Sequence, residues 1–151
     1  NDVKPLRPMT APGDSLGEGG PIGSGRYGRL ESPVSLGGLL ATVKQALGVE
    51  HLQYIGDGGL PVEQVAVACG SAAEFIPDAV RLGCDALLTG EARFHACLDA
   101  RSAGIGLILA GHYATERPAV EQLAGKLAAR FADATVWASE VECDPVRWST
   151  P

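Results

Sequence analysis

The stretch Gly111-His112-Tyr113-Ala114-Thr115-Glu116-Arg117-Pro118 sets an imidazole and a carboxylate four residues apart, directly after the apolar run Ile105-Gly106-Leu107-Ile108-Leu109-Ala110. The run reads as a buried strand, and Pro118 suits the first turn of a following helix, where its missing N–H costs nothing. His112 and Glu116 then sit on a strand-to-helix turn, which in an α/β sheet is where ligands bind. Histidine with glutamate is a metal-ligand or acid–base pairing. The same residues also suit a histidine packed on a strand end and a glutamate near the positive end of a helix. The octapeptide alone leaves both readings open.

A second strand end repeats the pattern. In Thr89-Gly90-Glu91-Ala92-Arg93-Phe94-His95, Glu91 and His95 stand at i and i+4 and would share one helix face. If the two strands are neighbours, Glu91, His95, His112 and Glu116 converge on one cleft. Glu91 and His95 are then candidate catalytic groups for moving protons, and His112 and Glu116 candidate metal ligands. Cys69-Gly70-Ser71-Ala72-Ala73-Glu74-Phe75 also follows an apolar run, and its N–H groups either cap a helix or receive an anion. Gly23-Ser24-Gly25-Arg26-Tyr27-Gly28 has the letters of a dinucleotide loop, but no strand feeds it, so it reads as a glycine turn. No nucleophile elbow is present, and Ser71 has no evident partner base, which disfavours covalent catalysis.

The elements that position these residues alternate. Ser35 as N-cap and Gly48 as stop bracket a helix with Leu36, Leu39, Leu40, Val43 and Leu47 on one face. Strands are expected at 52–55, 65–69, 86–88 and 106–110, and helices at 75–82, 91–103 and 118–131. The last helix carries Val120, Leu123, Leu127 and Phe131 at helical spacing, and Thr135-Val136-Trp137 with Val141 suggests one or two closing strands. Such alternation predicts an α/β fold with a mixed, largely parallel sheet. Residues 1–22, crowded with Pro and Gly, are expected to be a flexible tail or linker, and residues 23–151 the domain.

A chain of 151 residues with 46% hydrophobic content suffices for one domain with a real core. Its 12 basic and 18 acidic residues give a net charge of −6 with no basic block, which argues against nucleic-acid or membrane partners. No apolar run approaches a bilayer span, and the start lacks a signal-peptide pattern, so a soluble, cytoplasmic protein is expected. The chain does not begin with Met, which suggests a fragment or a processed product. Four cysteines without a C-x-x-C pair indicate buried free thiols.

Taken in order, Gly25-Arg26-Tyr27-Gly28, the Ser71 loop with Phe75-Ile76, Thr89-Gly90-Glu91 with His95, and Gly111-His112-Tyr113-Ala114-Thr115-Glu116 resemble the Nif-three-like family. Its members are also called dinuclear metal-centre proteins or GTP cyclohydrolase 1 type 2 homologues. Ser139-Glu140-Val141 and Asp144-Pro145-Val146 resemble the family's closing segment. The resemblance implies an α/β fold of two intertwined halves, a homo-oligomer in the form of a toroidal hexamer, and two divalent ions (zinc, manganese or iron) per site. It makes His112 and Glu116 metal ligands, with Glu116 able to bridge the ions, and sets Thr89, Glu91 and His95 nearby. The family's amino-terminal half supplies an adjacent His-His pair and an Asp ligand. Here the only histidines are His51, His95 and His112. The resemblance therefore covers the carboxyl-terminal half, with a metal site incomplete in this chain. The expected function is a metal-dependent hydrolase of the GTP cyclohydrolase type acting on a small-molecule substrate, its two-metal centre activating water and polarising the bond under attack. The alternative is a non-catalytic metal-binding regulatory or protein-interaction module.

Overall fold

In the computed structural model, which describes residues 3–9 and 22–149, an antiparallel ribbon of β1 (Arg7–Pro8) and β2 (Gly23–Ser24) leads into β3 (Arg26–Ser35). Ser35 then caps α1 (Leu36–Leu47): its side chain accepts the Gly38 N–H, and Gly48 ends the helix in the left-handed conformation at φ 64°. β4 (Gln53–Ile55) and β5 (Pro61–Val67) follow. A 3-10 turn at Ala73–Phe75 runs into α2 (Ile76–Arg81), and then come β6 (Ala86–Thr89), α3 (Phe94–Ala103), β7 (Gly106–Leu109) and α4 (His112–Arg130).

Five strands form one sheet in the order β3-β5-β6-β7-β4. The central pairings, β5 with β6 and β6 with β7, are parallel, and the edge pairings, β3 with β5 and β4 with β7, are antiparallel. This is the expected mixed α/β sheet, with its parallel part at the centre. Parallel strands must be covered on both faces, and the alternation through β7 shows how that is met. Leu107 and Leu109 enter one core with Ile76 and Ala79 of α2 and Ala100 of α3. Ile108 and Ala110 enter a second core with Leu36, Leu39 and Val43 of α1.

Five expectations are corrected. β3 replaces the isolated glycine turn: it is an edge strand, largely exposed, whose register slips between Arg29 and Val34 around Pro33, so it carries little apolar alternation to read. The expected tail is not loose over residues 3–9: Lys4 bridges Tyr27, β1 pairs β2, and Leu6 is fully buried in the first core. The rest of that tail, residues 1–2 and 10–21, lies outside the described residues. α4 begins six residues before Pro118, which sits inside the helix and leaves the Ala114 carbonyl without its usual i+4 donor. No closing strand forms among the described residues of the 135–141 segment. The apolar stripe of α4 is also exposed rather than packed: Thr115 is its one buried residue, while Val120, Leu123 and Leu127 face solvent.

Because Leu6 fills the first core from outside the expected domain boundary, Leu6→Ala should cost about 2–5 kcal/mol in urea unfolding. An unchanged midpoint would show that the segment does not pack.

Candidate functional site

Each of the three parallel strands runs out into a glycine, and the three glycine loops are stitched together. The Gly90 N–H donates to the Gly70 carbonyl at 2.8 Å, and the Gly111 N–H donates to the Gly90 carbonyl at 2.9 Å. The approach is close enough to require glycine at the centre. A Cβ on Gly90 would lie 2.7 Å from the Gly70 carbonyl oxygen and 2.9 Å from the His112 Cα. Gly70, in the left-handed conformation at φ 69°, faces the Glu116 carboxylate so closely that a methyl group there would overlap it.

Two buried threonines complete the junction. The Thr115 hydroxyl accepts the Gly70 N–H at 3.1 Å and lies 3.0 Å from the Gly111 and His112 carbonyls, so it fastens the first turn of α4 to the loop after β5. The Thr89 hydroxyl donates to the Gly70 carbonyl at 3.0 Å and accepts the Ala72 N–H at 3.2 Å. Two N–H groups of the Ser71 loop are thus satisfied internally, which favours the local-capping role over anion binding.

On this junction His112 stands between two carboxylates. Its Nδ1 lies 3.0 Å from Glu91 Oε1 and its Nε2 lies 3.2 Å from Glu116 Oε1. An ionised carboxylate only accepts, so the single proton of a neutral imidazole can serve only one of the two, and the shorter contact assigns it to Nδ1, toward Glu91. The Glu91 hydrogen bond raises the imidazole's proton affinity above the ordinary histidine value; desolvation opposes it, and the charges of Glu116 and Glu91 add to the rise. Cys69, the residue before Gly70, is exposed, as is Cys143, against the expectation of buried thiols; partial desolvation first and the Glu116 charge second still push the Cys69 thiol up. That keeps it protonated near neutral pH and unsuited to nucleophilic attack.

The fold brings together three of the four residues singled out from sequence: Glu91, His112 and Glu116. β6 and β7 are indeed neighbours. His95 stays apart. α3 begins only at Phe94, so Glu91 precedes the helix and shares no helical face with His95, whose exposed ring packs edge-on to Phe94 and makes no ion pair or hydrogen bond with the other three. Among the described residues no group of three or more His, Cys, Asp or Glu side chains is arranged to hold a metal ion. Sequence reasoning missed Thr115 and expected closing strands in the segment after α4, not its docking at the site. The segment lies against the first turns of that helix, with Tyr113 Oη donating to the Glu142 carbonyl at 3.2 Å and Arg117 Nη2 to the Ser139 carbonyl at 2.7 Å. The signal for Thr115 was available in its i+3 spacing from His112; the segment's docking is a tertiary matter with no local signature.

A mixed sheet with a histidine and two carboxylates gathered at the carboxyl ends of its parallel strands defines the class of α/β protein with a strand-end site. The chain belongs to the Duf34/NIF3 (NGG1p interacting factor 3) family, whose profile matches residues 2–145, so the likeness reaches upstream of Gly23. It is 38% identical over 128 residues to a GTP cyclohydrolase 1 type 2 homolog of Nostoc sp., covering 83% of this chain and 45% of that protein. It is 40% identical over 105 residues to one of Pseudomonas aeruginosa, covering 70% of this chain and 41% of that protein. The chain spans less than half the length of these curated relatives. Among solved structures, a Staphylococcus aureus protein superposes with a TM-score of 0.78 at 27% identity, over 84% of this chain and 42% of that one. A Bacillus cereus protein related to NIF3 does so at 0.74 and 28%, over 87% and 37%. No helix among the described residues is long and apolar enough to cross a membrane.

Gly90→Ala should destabilise the chain by about 1–3 kcal/mol, because backbone on two sides blocks the methyl group. Gly125→Ala, in α4 with open space around it, should stabilise by roughly 0.5–1 kcal/mol. Denaturant midpoints moving in the same direction for both would refute the close approach of the strand ends.

Proposed function

We propose that the chain is the part of a divalent-metal-dependent hydrolase that contributes His112 and Glu116 as ligands, of the kind named GTP cyclohydrolase 1 type 2 homolog among its relatives. The observation that carries this reading is the orientation of His112. With Nδ1–H donated to Glu91, the Nε2 lone pair and the Glu116 carboxylate meet at 3.2 Å, two acceptors that need a cation between them. A proton meets that need when the imidazole is charged, and zinc, manganese or iron would meet it otherwise. A carboxylate behind a ligating histidine is the usual outer-shell partner, so the donor set fits a metal.

Two side chains are too few to hold an ion tightly, and the remaining ligands come from outside this set. A divalent ion there would supply Lewis-acid polarisation of the bond under attack. Glu91 fixes the imidazole's tautomer and is a positioning residue, while Gly70 leaves the space in which the Glu116 carboxylate sits. Self-association into a homo-oligomer belongs to the same reading, supported by the exposed apolar stripe of α4.

Calorimetry with zinc and manganese on the chain should show weak binding. Binding should weaken further as pH falls, because His112 must give up a proton that Glu91 and Glu116 hold more firmly than usual. His112→Ala and Glu116→Ala should each cost about ten-fold or more in affinity. Unchanged affinity in both variants would remove these residues from the metal, and metal binding without turnover of GTP or a related heterocycle would favour the non-catalytic metal-binding module.

A further inference from the structure

A groove of about 660 Å³ lies between the carboxyl end of α1 and the first turns of α4, with the segment after α4 along its third side. Its volume is within the range of ligand sites, and none of Glu91, His112 or Glu116 lines it. The polar groups it offers are chiefly acceptors. Ala114 and Pro118 stand one turn apart on α4 and both line the groove, so the Ala114 carbonyl, which Pro118 leaves without its i+4 donor, lies on this side of the helix. On the α1 side, the Lys44 carbonyl takes both the Gly48 and the Val49 N–H. The carbonyls of Ala46 and Leu47 fall beyond the last intrahelical donor, and they leave the negative pole of α1 at the groove. The carboxylates of Glu50 and Asp144 stand on the same lining.

Arg117, the guanidinium of the lining, is already engaged. Its Nε donates to Glu121, its Nη2 donates to the Ser139 carbonyl, and its Nη1, buried without a hydrogen bond, lies 3.7 Å from the Glu142 carboxylate. Between the acceptors the surface is apolar and aromatic. The Tyr113 hydroxyl is spent on the Glu142 carbonyl, which leaves its ring to the groove, and the Trp148 indole, resting against the His51 ring, is 59% exposed.

Carbonyls without donors, beside carboxylates, call for a ligand that donates and accepts nothing. An alkyl ammonium does so with three N–H groups. It is favoured at the carboxyl end of a helix and attracted to the face of an indole, and its methylene stem suits the apolar strips between. A phosphate or carboxylate would meet like charge at each of these points. We infer that this groove binds an aliphatic amine of the diamine or polyamine class, its ammonium groups taken up by the Ala114 carbonyl and the end of α1 and its stem lying along Trp148. The site is separate from His112 and Glu116 and does not depend on the metal reading.

Calorimetry on the full chain with putrescine and spermidine, a chelator present so that no metal contributes, tests this. Both should bind saturably, butylamine more weakly, and butanol, its uncharged counterpart, not measurably. Pro118→Ala returns the missing N–H to the Ala114 carbonyl. It should raise the thermal midpoint and yet weaken putrescine binding about ten-fold, a combination that misfolding does not produce. Trp148→Ala should cost about two- to five-fold in affinity, and Trp148→Phe less. The chain is acidic as a whole, so Glu31→Gln on β3, the loss of one carboxylate charge away from the groove, is the control and should leave affinity unchanged. No saturable binding, butanol binding as tightly as butylamine, a loss in Glu31→Gln equal to that in Pro118→Ala, or affinity indifferent to Pro118→Ala or to Trp148→Ala would overturn the inference.

Discussion

Hydrogen bonds between the glycine ends of three adjacent parallel strands hold the candidate site together. The loop after β6 donates to the loop after β5, and the loop after β7 donates to the loop after β6, so the three strand ends form a ladder of bare backbone. Any side chain at Gly90 would separate them. Across that ladder the Thr115 hydroxyl bonds back to Gly70, and α4 therefore starts with His112 against the loops. The imidazole, Glu91 and Glu116 take their geometry from this backbone contact. Their own mutual attraction contributes less, because all three are about half exposed and solvent screens exposed pairs.

The same junction explains why α4 can begin on a left-handed glycine and continue through Pro118. The Thr115 hydroxyl ties the first turn to the sheet, lying 3.0 Å from the Gly111 carbonyl while accepting the Gly70 N–H. Beyond Pro118 the helix is held mainly by its own backbone and by Arg117, whose guanidinium reaches Ser139 and lies near the Glu121 and Glu142 carboxylates. The result is a helix anchored at its amino end, with apolar residues free along the rest. Relatives about twice as long share this part of the fold.

Much of this was legible in the residues. α1 carries a complete signature, with Ser35, the Leu36 to Leu47 spacing and Gly48 each in place. The buried central strands read as short apolar runs, and His112 with Glu116 stood out by spacing and position. What was illegible depended on tertiary contact. β3 is an exposed edge with a proline and a register shift, and its pairing with β5 is set by the sheet. Leu6 lies in a segment whose composition resembles a linker, yet a single leucine suffices to fill a core. Pro118 is a start signal in isolation, but α4 already begins at His112, where Thr115 ties its first turn to the loop after β5. Glu91 and His95 are four apart, but that spacing has meaning only inside a helix, and α3 begins between them.

The central claim is that the strand-end ladder holds Glu91 against the His112 Nδ1, which commits the other nitrogen to Glu116. An NMR titration of the His112 imidazole in the metal-free chain reads this most directly. The account predicts a midpoint above the ordinary histidine value of about 6.5, with the proton resident on Nδ1, and a fall toward that value in Glu91→Gln. A midpoint at the ordinary value that Glu91→Gln leaves unmoved would contradict it.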